Sequence, residues 1–243
     1  MAKSYKIVCF IPARSGSKRL KDKNIKKLNG KPLIFWTVKQ AIRVRIFKKI
    51  IFSTDSLKYY KILIKTLKQN NLSTKKIHLD LRNLKNSSSK KKIFDYIKYN
   101  FIKLNYVDKN DLLVQLLPTA PLRSLKTIKK VINLAIKKKK NIFSVSEYDF
   151  HISFALEKFS NCKWRALIKK SPLKTGNTRS QDQKKYFKPN PVINCLWTKY
   201  LKNNKTIYDN ALAFETTRNE GHDIDNLQDF KLAEFLMKYN FKR

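Results

Sequence analysis

The chain has 243 residues, 42% of them apolar and 12% aromatic, and a formal net charge of +38. That composition excludes a disordered polymer and allows one good α/β core or a core with a modest appendage. No apolar run approaches the roughly 20 residues that a membrane helix needs, so no membrane partner is expected. The cations are 45 Lys and 10 Arg spread along the whole sequence. This pattern suits a genome biased toward A and T as well as it suits selection for polyanions. A dedicated nucleic-acid reader would use more Arg, so nucleic acid is not expected as a partner, whereas anionic substrates are. The N-terminus has no apolar leader with a small-residue cleavage site, and a soluble cytoplasmic protein is expected. Cys9, Cys162 and Cys195 are odd in number and widely spaced, which suggests neither a disulfide framework nor a zinc site.

In chain order, residues 6–11 read as a buried strand and 32–43 as a helix opened by Pro32. A second strand covers 49–53, a helix 57–68, a short strand 76–79 and a helix 91–104. The run 111–117 ("DLLVQLL") is a buried strand stopped by Pro118, followed by a helix at 125–139 and a strand at 141–145. Such alternation predicts an α/β fold, a mostly parallel sheet with helices on both faces. In such sheets ligands sit beyond the carboxyl ends of the strands. From Glu147 the rhythm changes. Residues 148–215 hold short β-like pieces and loops and read as an inserted lobe, so that 1–243 is expected to form a single domain. Residues 226–238 form a last amphipathic helix.

Four segments carry the residue types that chemistry needs. The first is "IPARSGSKRLKDKNI", 11–25, directly after the first strand. With glycine only at 16, 30, 176 and 221, neither a dinucleotide fingerprint nor a Walker loop is possible. The physics is nevertheless similar. Ala13, Ser15, Gly16 and Ser17 are small enough to let backbone N–H groups approach a phosphate chain, and Arg14, Lys18 and Lys23 can neutralise its charge. The second segment is "GHDIDNLQDF", 221–230. In extended chain Asp223 and Asp225 share a face, with Ile224 buried on the other, and two carboxylates suit Mg²⁺. Asp225 is also well placed to cap the last helix, with Gln228 three residues on. The third, "VQLLPTAPLRS" at 114–124, puts Thr119 and Arg123 on a proline-bracketed loop past a central strand. The fourth, "TRSQD" at 178–182, offers Arg179 as a fork for a carboxylate, with Gln181 and Asp182 for hydroxyls. His78, His151 and His222 form no ligand pattern, although His222 stands beside the Asp pair.

Taken together these motifs resemble the nonulosonic acid cytidylyltransferases, the CMP-sialic acid synthetases and their legionaminic and pseudaminic acid relatives. "IPARSGSKRLKDKNIKKLNGKPL" is similar to the opening signature of that family, followed by "IIFSTDS", "LLPTAPLRS", "RSQD" and "HDIDNLQDF" in the family's order. The resemblance implies a Rossmann-like sheet of the nucleotide-diphospho-sugar transferase type. It also implies transfer of CMP from CTP to the anomeric hydroxyl of a nine-carbon α-keto acid sugar, with release of pyrophosphate. By the same resemblance Arg14, Lys18, Lys23 and Asn24 bind the triphosphate. Arg82 lies near the cytosine, and Ser87 or Ser89 lies on the ribose side. Asp223 and Asp225 hold Mg²⁺, and Arg14, Lys18 and both aspartates are the catalytic group. Gln115, Thr119, Arg123, Arg179 and Gln181 belong to the sugar side, and the insert builds a homodimer. The chain departs from the family in Leu117 before Pro118-Thr119, with Gln115 two residues earlier, and in "KPNP" at 188–191 where many members have "RPNG". Two other readings stay open. One is a CMP-Kdo synthetase or another sugar nucleotidyltransferase, although "LLPTAP" stands where the Kdo branch usually has "QGDEP". The other is a basic nucleic-acid-binding protein.

Overall fold

The apolar run after Lys6 forms β1 (Ile7–Pro12), whose residues Val8 to Ile11 are at most 1% exposed. The structure is a computed structural model that describes residues 5–83 and 92–240. In chain order the strands are β1, β2 (Lys27–Leu28), β3 (Lys31–Pro32), β4 (Lys49–Thr54), β5 (Ile77–Leu81) and β6 (Leu112–Gln115). They continue with β7 (Asn141–Glu147), β8 (Leu156–Ser160), β9 (Lys163–Ala166), β10 (Phe187–Trp197) and β11 (Ala211–Glu215). The helices are α1 (Leu33–Val44), α2 (Leu57–Gln69), α3 (Ile93–Asn100), α4 (Leu125–Lys138), the short α5 (Pro172–Thr175) and α6 (Leu227–Asn240).

Seven strands make one sheet in the order β11-β7-β10-β6-β1-β4-β5. Every neighbouring pair is parallel except the two that β10 makes with β6 and β7. The α/β, mostly parallel expectation therefore holds. Side chains alternate between faces with period 2, and the core divides accordingly. Cys9 and Ile11 of β1 join a cluster with Phe35 and Val38 of α1, Leu63 of α2 and Ile128 and Val131 of α4. Val8 and Phe10 of β1 face the other way, onto Phe94 and Ile97 of α3. A third cluster packs Phe230, Ala233 and Met237 of α6 against Leu28, Leu33 and Ile224. The spacing 230, 233, 237 is one helical face. Ser56 caps α2 and Ser124 caps α4, each accepting a backbone N–H from three residues on, so both helices start just past the carboxyl ends of β4 and β6.

Three expectations are corrected. The buried strand is shorter than its apolar run, because Leu116 donates its N–H to Phe10 and the chain then turns at Pro118. The helix read as 91–104 ends at Asn100, and the chain turns through Asn105, which has a left-handed φ of 56°. The segment 148–215 is not one lobe. Residues 190–197 are all buried and run through the middle of the main sheet as β10, and β11 forms its edge. A strand covered on both faces reads as a continuous apolar run whichever way it points. The part that leaves the sheet is about 148–186, with the β8–β9 hairpin and α5.

Candidate active site

The loop after β1 is fastened to its surroundings before it faces solvent. Ala13 is buried and donates its N–H to the Ser53 carbonyl at 2.8 Å. Ser15 donates its N–H and its hydroxyl to the two Asp55 oxygens, at 2.7 and 3.0 Å. Ser17 donates its N–H back to the Ser15 carbonyl. Asn24 donates to the Arg14 carbonyl at 2.8 Å, and Tyr59 to Asp22, which sits in the left-handed region. The N–H groups of Ala13, Ser15 and Ser17 are thus bound within the protein. This corrects the reading that they cradle phosphate. Gly16 lies exposed with open space around it.

What the loop presents instead is charged side chains. A cavity of about 510 Å³ beyond the ends of β1, β5 and β6 is lined by Arg14, Lys18, Arg19, Lys23 and Arg82, by Ser17, Asn24 and Thr119, and by Asp225. Among the described residues, five cations against one carboxylate in one cleft suit a polyanion. Lys23 is 8% exposed. Its ammonium donates to the Ile224 carbonyl at 2.5 Å and lies 3.4 Å from Asp225 Oδ1. Arg19 reaches the same oxygen at 2.9 Å. Arg82 is 7% exposed; it donates to the Ser53 carbonyl and stacks over the Tyr96 ring. Burial pulls its guanidinium below the usual range, against the pull of Asp55, Asp80 and Tyr96. Ser87 and Ser89 lie outside the described residues.

The carboxylate segment keeps its expected alternation, with Ile224 fully buried between Asp223 and Asp225. Its cap differs from expectation. Asn226, not Asp225, caps α6: its side chain accepts the Asp229 N–H, and the Asp229 carboxylate accepts the N–H groups of Asn226 and Asp225. Asp225 is left to the cations of the loop. Thr119 holds the segment through its carbonyl, which accepts the Ile224 N–H at 2.9 Å. Desolvation pushes the Asp223 carboxyl above the usual range. Asp225 and Asp229 add to that shift, while Thr119 and Lys23 oppose it. Asp223 also borders a second cavity of about 450 Å³, lined among others by Ser146, Asp149, Lys188, Asn190, Arg218 and His222. Asp225 lines the first cavity and Asp223, two residues earlier, lines the second.

Four expected substrate residues stand elsewhere. Gln115 is 2% exposed on β6, where its side-chain oxygen accepts from Asn194. Arg123 is 2% exposed and donates to the Leu117 carbonyl, and burial holds its guanidinium down to about 9. Gln40 fastens the same loop through the carbonyls of Pro121 and Arg123. Gln115 and Arg123 are therefore scaffold, and Arg123 helps to hold the loop that presents Thr119. Arg179 and Gln181 are exposed in a turn of the off-sheet lobe and line neither cavity.

A family model described as cytidylyltransferase matches residues 8–240. The chain belongs to the cytidylyltransferase family. It is 30% identical over 229 residues to an N-acylneuraminate cytidylyltransferase of Streptococcus agalactiae serotype V, covering 93% of this chain and 52% of that protein. It thus spans about half the length of that relative. It is 28% identical to a CMP-N,N'-diacetyllegionaminic acid synthase of Legionella pneumophila, over 97% of both chains. The fold is shared with a CMP:2-keto-3-deoxy-manno-octonic acid synthetase solved with CTP, at TM-score 0.66 and 17% identity, covering 97% of this chain and 99% of that one.

Motif reading missed Ser146, Asn190, Arg218 and Arg19. The first three reach one cavity from β7, β10 and the segment before α6. The signal that could have found this cavity in a cytidylyltransferase chain so poor in glycine is Gly221. A Cβ there would stand 2.9 Å from Ser146 Oγ and 3.0 Å from Asn190 Nδ2, so the backbone must pass close to both side chains. Gly221→Ala is expected to displace the 222–225 segment. It should lower activity at least tenfold, with thermal melting reduced by only a few degrees; an unchanged turnover rate would show that the close approach is tolerated.

Proposed function

We propose that this chain transfers CMP from CTP to the anomeric hydroxyl of a sialic, legionaminic or pseudaminic acid and releases pyrophosphate, in the cytoplasm. The observation that carries the reading is a cavity lined, among the described residues, by five cations and Asp225, with a second, mixed polar cavity lined by Asp223 two residues away. Arg14, Lys18 and Lys23 neutralise the triphosphate, Asn24 orients Arg14 through its carbonyl, and Arg82 stands at the base. The sugar acid occupies the second cavity, where Lys188 and Arg218 supply charge for its carboxylate. The hydroxyl attacks the α-phosphorus in line and pyrophosphate leaves. The residues contribute positioning and charge stabilisation as negative charge gathers on the phosphate oxygens.

Asp223 and Asp225 fit a divalent cation by the chemistry of the donor set: two carboxylates on one face, the kind of oxygen ligand Mg²⁺ takes alongside substrate phosphates. Mg²⁺ bound there would supply charge neutralisation at the phosphates and lower the pKa of the attacking hydroxyl. Pyrophosphate release is the measurement. It should require CTP, Mg²⁺ and one nonulosonic acid from a panel that includes Kdo, and fail with ATP, GTP and UTP. Release with Kdo alone would move the substrate to the other branch of the fold, and no release with any acceptor would end the reading. Asp223→Asn should lower kcat by about 10²- to 10³-fold with the melting curve retained.

A homodimer belongs to the same reading. The off-sheet lobe exposes Phe150, Phe159, Trp164 and Leu167, each 55% or more, an apolar group of the kind that marks an interface. Sedimentation should give a dimer, and Trp164→Glu a monomer; a wild-type monomer at micromolar concentration would remove the assignment.

A further inference from the structure

Asp80, near the end of β5, is 3% exposed. A carboxylate can only accept hydrogen bonds, and this one takes them from three hydroxyls. Ser53 Oγ lies 2.5 Å from Oδ2. Tyr96 OH lies 2.8 and 2.9 Å from the two oxygens, and Tyr106 OH lies 3.1 Å from Oδ1. Burial of so polar a group is costly unless its oxygens are satisfied, and here Ser53 donates to Oδ2, Tyr106 to Oδ1, and the Tyr96 hydroxyl lies between the two. The tyrosines remain donors because their hydroxyls titrate high. Burial raises both, and the hydrogen bond and charge of Asp80 raise them further.

The same hub surrounds Arg82. Its backbone N–H donates to the Thr54 carbonyl, its Nη2 to the Ser53 carbonyl at 3.4 Å, and its guanidinium carbon lies 5.7 Å from the centre of the Tyr96 ring. Among the described residues, the guanidinium meets the Ser53 carbonyl and the Tyr96 ring, with the charges of Asp55 and Asp80 acting on it; Ser53 through its hydroxyl and Tyr96 through its own are both hydrogen-bonded to Asp80. Arg82 Nε is buried without a partner. A guanidinium carries five N–H donors and no acceptor, and among the described residues the Ser53 carbonyl is the acceptor recorded for Arg82, which lines the nucleotide cavity.

We propose that Asp80 is a positioning residue for base recognition. Through Ser53 and the Tyr96 ring it fixes Arg82 so that the guanidinium meets the two adjacent acceptors, O2 and N3, of a cytosine and not the N3–H of a uracil. The inference deepens the cytidylyl-transfer reading and rests on it. A site built from buried donors rejects the base that leaves them unmatched. Ser53, Tyr96 and Asp80 come from β4, α3 and β5, and among the described residues Arg82 is the cation of the cavity that does not come from the 13–25 loop.

The test is calorimetric titration of the full chain with CTP, UTP and inorganic tripolyphosphate, with thermal melts of each variant. Asp80→Asn and Tyr96→Phe should weaken CTP about tenfold and bring CTP and UTP close to equal, with tripolyphosphate affinity unchanged. Tyr106→Phe removes a hydrogen bond to the same carboxylate but has no recorded contact with Arg82. It should leave the CTP-to-UTP ratio at the wild-type value, whatever its effect on melting. Should Asp80→Asn fail to fold, Tyr96→Phe, which keeps the ring, decides alone. Folded variants that retain wild-type discrimination would overturn the positioning role. A wild-type protein that binds CTP no more tightly than tripolyphosphate would overturn the cytidylyl-transfer reading itself, and the inference with it.

Discussion

The site depends on one nearly buried ammonium. Lys23 reaches across 201 residues of sequence to the Ile224 carbonyl and stands beside the Asp225 carboxylate. A charge removed from water must find partners, and the partners of this one lie on the far end of the chain. The contact ties the loop after β1 to the segment before α6. It does so at the point where Thr119, from the loop after β6, holds the neighbouring backbone. Three connections from separate strands are thereby brought to one place at the carboxyl end of the sheet. The third core cluster supports the arrangement from below, since Ile224 is buried there with Leu28 and Phe230.

Phosphate loops built from glycine use backbone N–H groups to meet the ligand. This loop has one glycine and uses its backbone differently. Ser15 gives both donors to Asp55, and Ala13 and Ser17 give theirs to nearby carbonyls. The result is a fixed frame that carries Arg14, Lys18 and Arg19 into the cavity. Charged side chains then do what amides do elsewhere, and the frame limits where their stems begin. Asp225 takes Arg19 and Lys23 on the same oxygen, so the cations hold this carboxylate close to the place where the phosphates are proposed to lie.

The sheet was legible because buried strands and amphipathic helices alternate with their own periods, and the first nine elements fall within a few residues of their expected places. What periodicity does not carry is direction. A strand buried on both faces has the same pattern parallel or antiparallel, so the pattern alone puts β10 in a lobe although it sits between β6 and β7. The motifs had the same limit. They locate a residue type, not the side of the strand or the depth to which it is buried. Gln115 and Arg123 carry suitable groups beside the right loop, yet both are turned into the interior. Asp225 and Asn226 are equally good caps by composition. The helix starts one residue later than Asp225 would need, and Asn226 takes the role. Asp80 is a further case. Its function depends on hydroxyls 16 and 26 residues away in sequence, a relation visible only once α3 is folded against β5.

The net charge of +38 is spread along the whole sequence, and the fold shows why the sum is a poor guide to a binding site. At physiological ionic strength exposed charges are screened over about 8 Å, so most of the lysines on outer helix faces contribute little to the field in a cleft. The five cations that line one cavity among the described residues act together at short range, and two of them, Lys23 and Arg82, are desolvated enough to interact strongly. Their chemistry differs as well. Three of the five are arginine, although arginine supplies only 10 of 55 cations in the chain. Where the protein needs a fixed, forked donor it uses the rarer residue. This local enrichment, more than the total charge, is what separates a binding site from a basic surface.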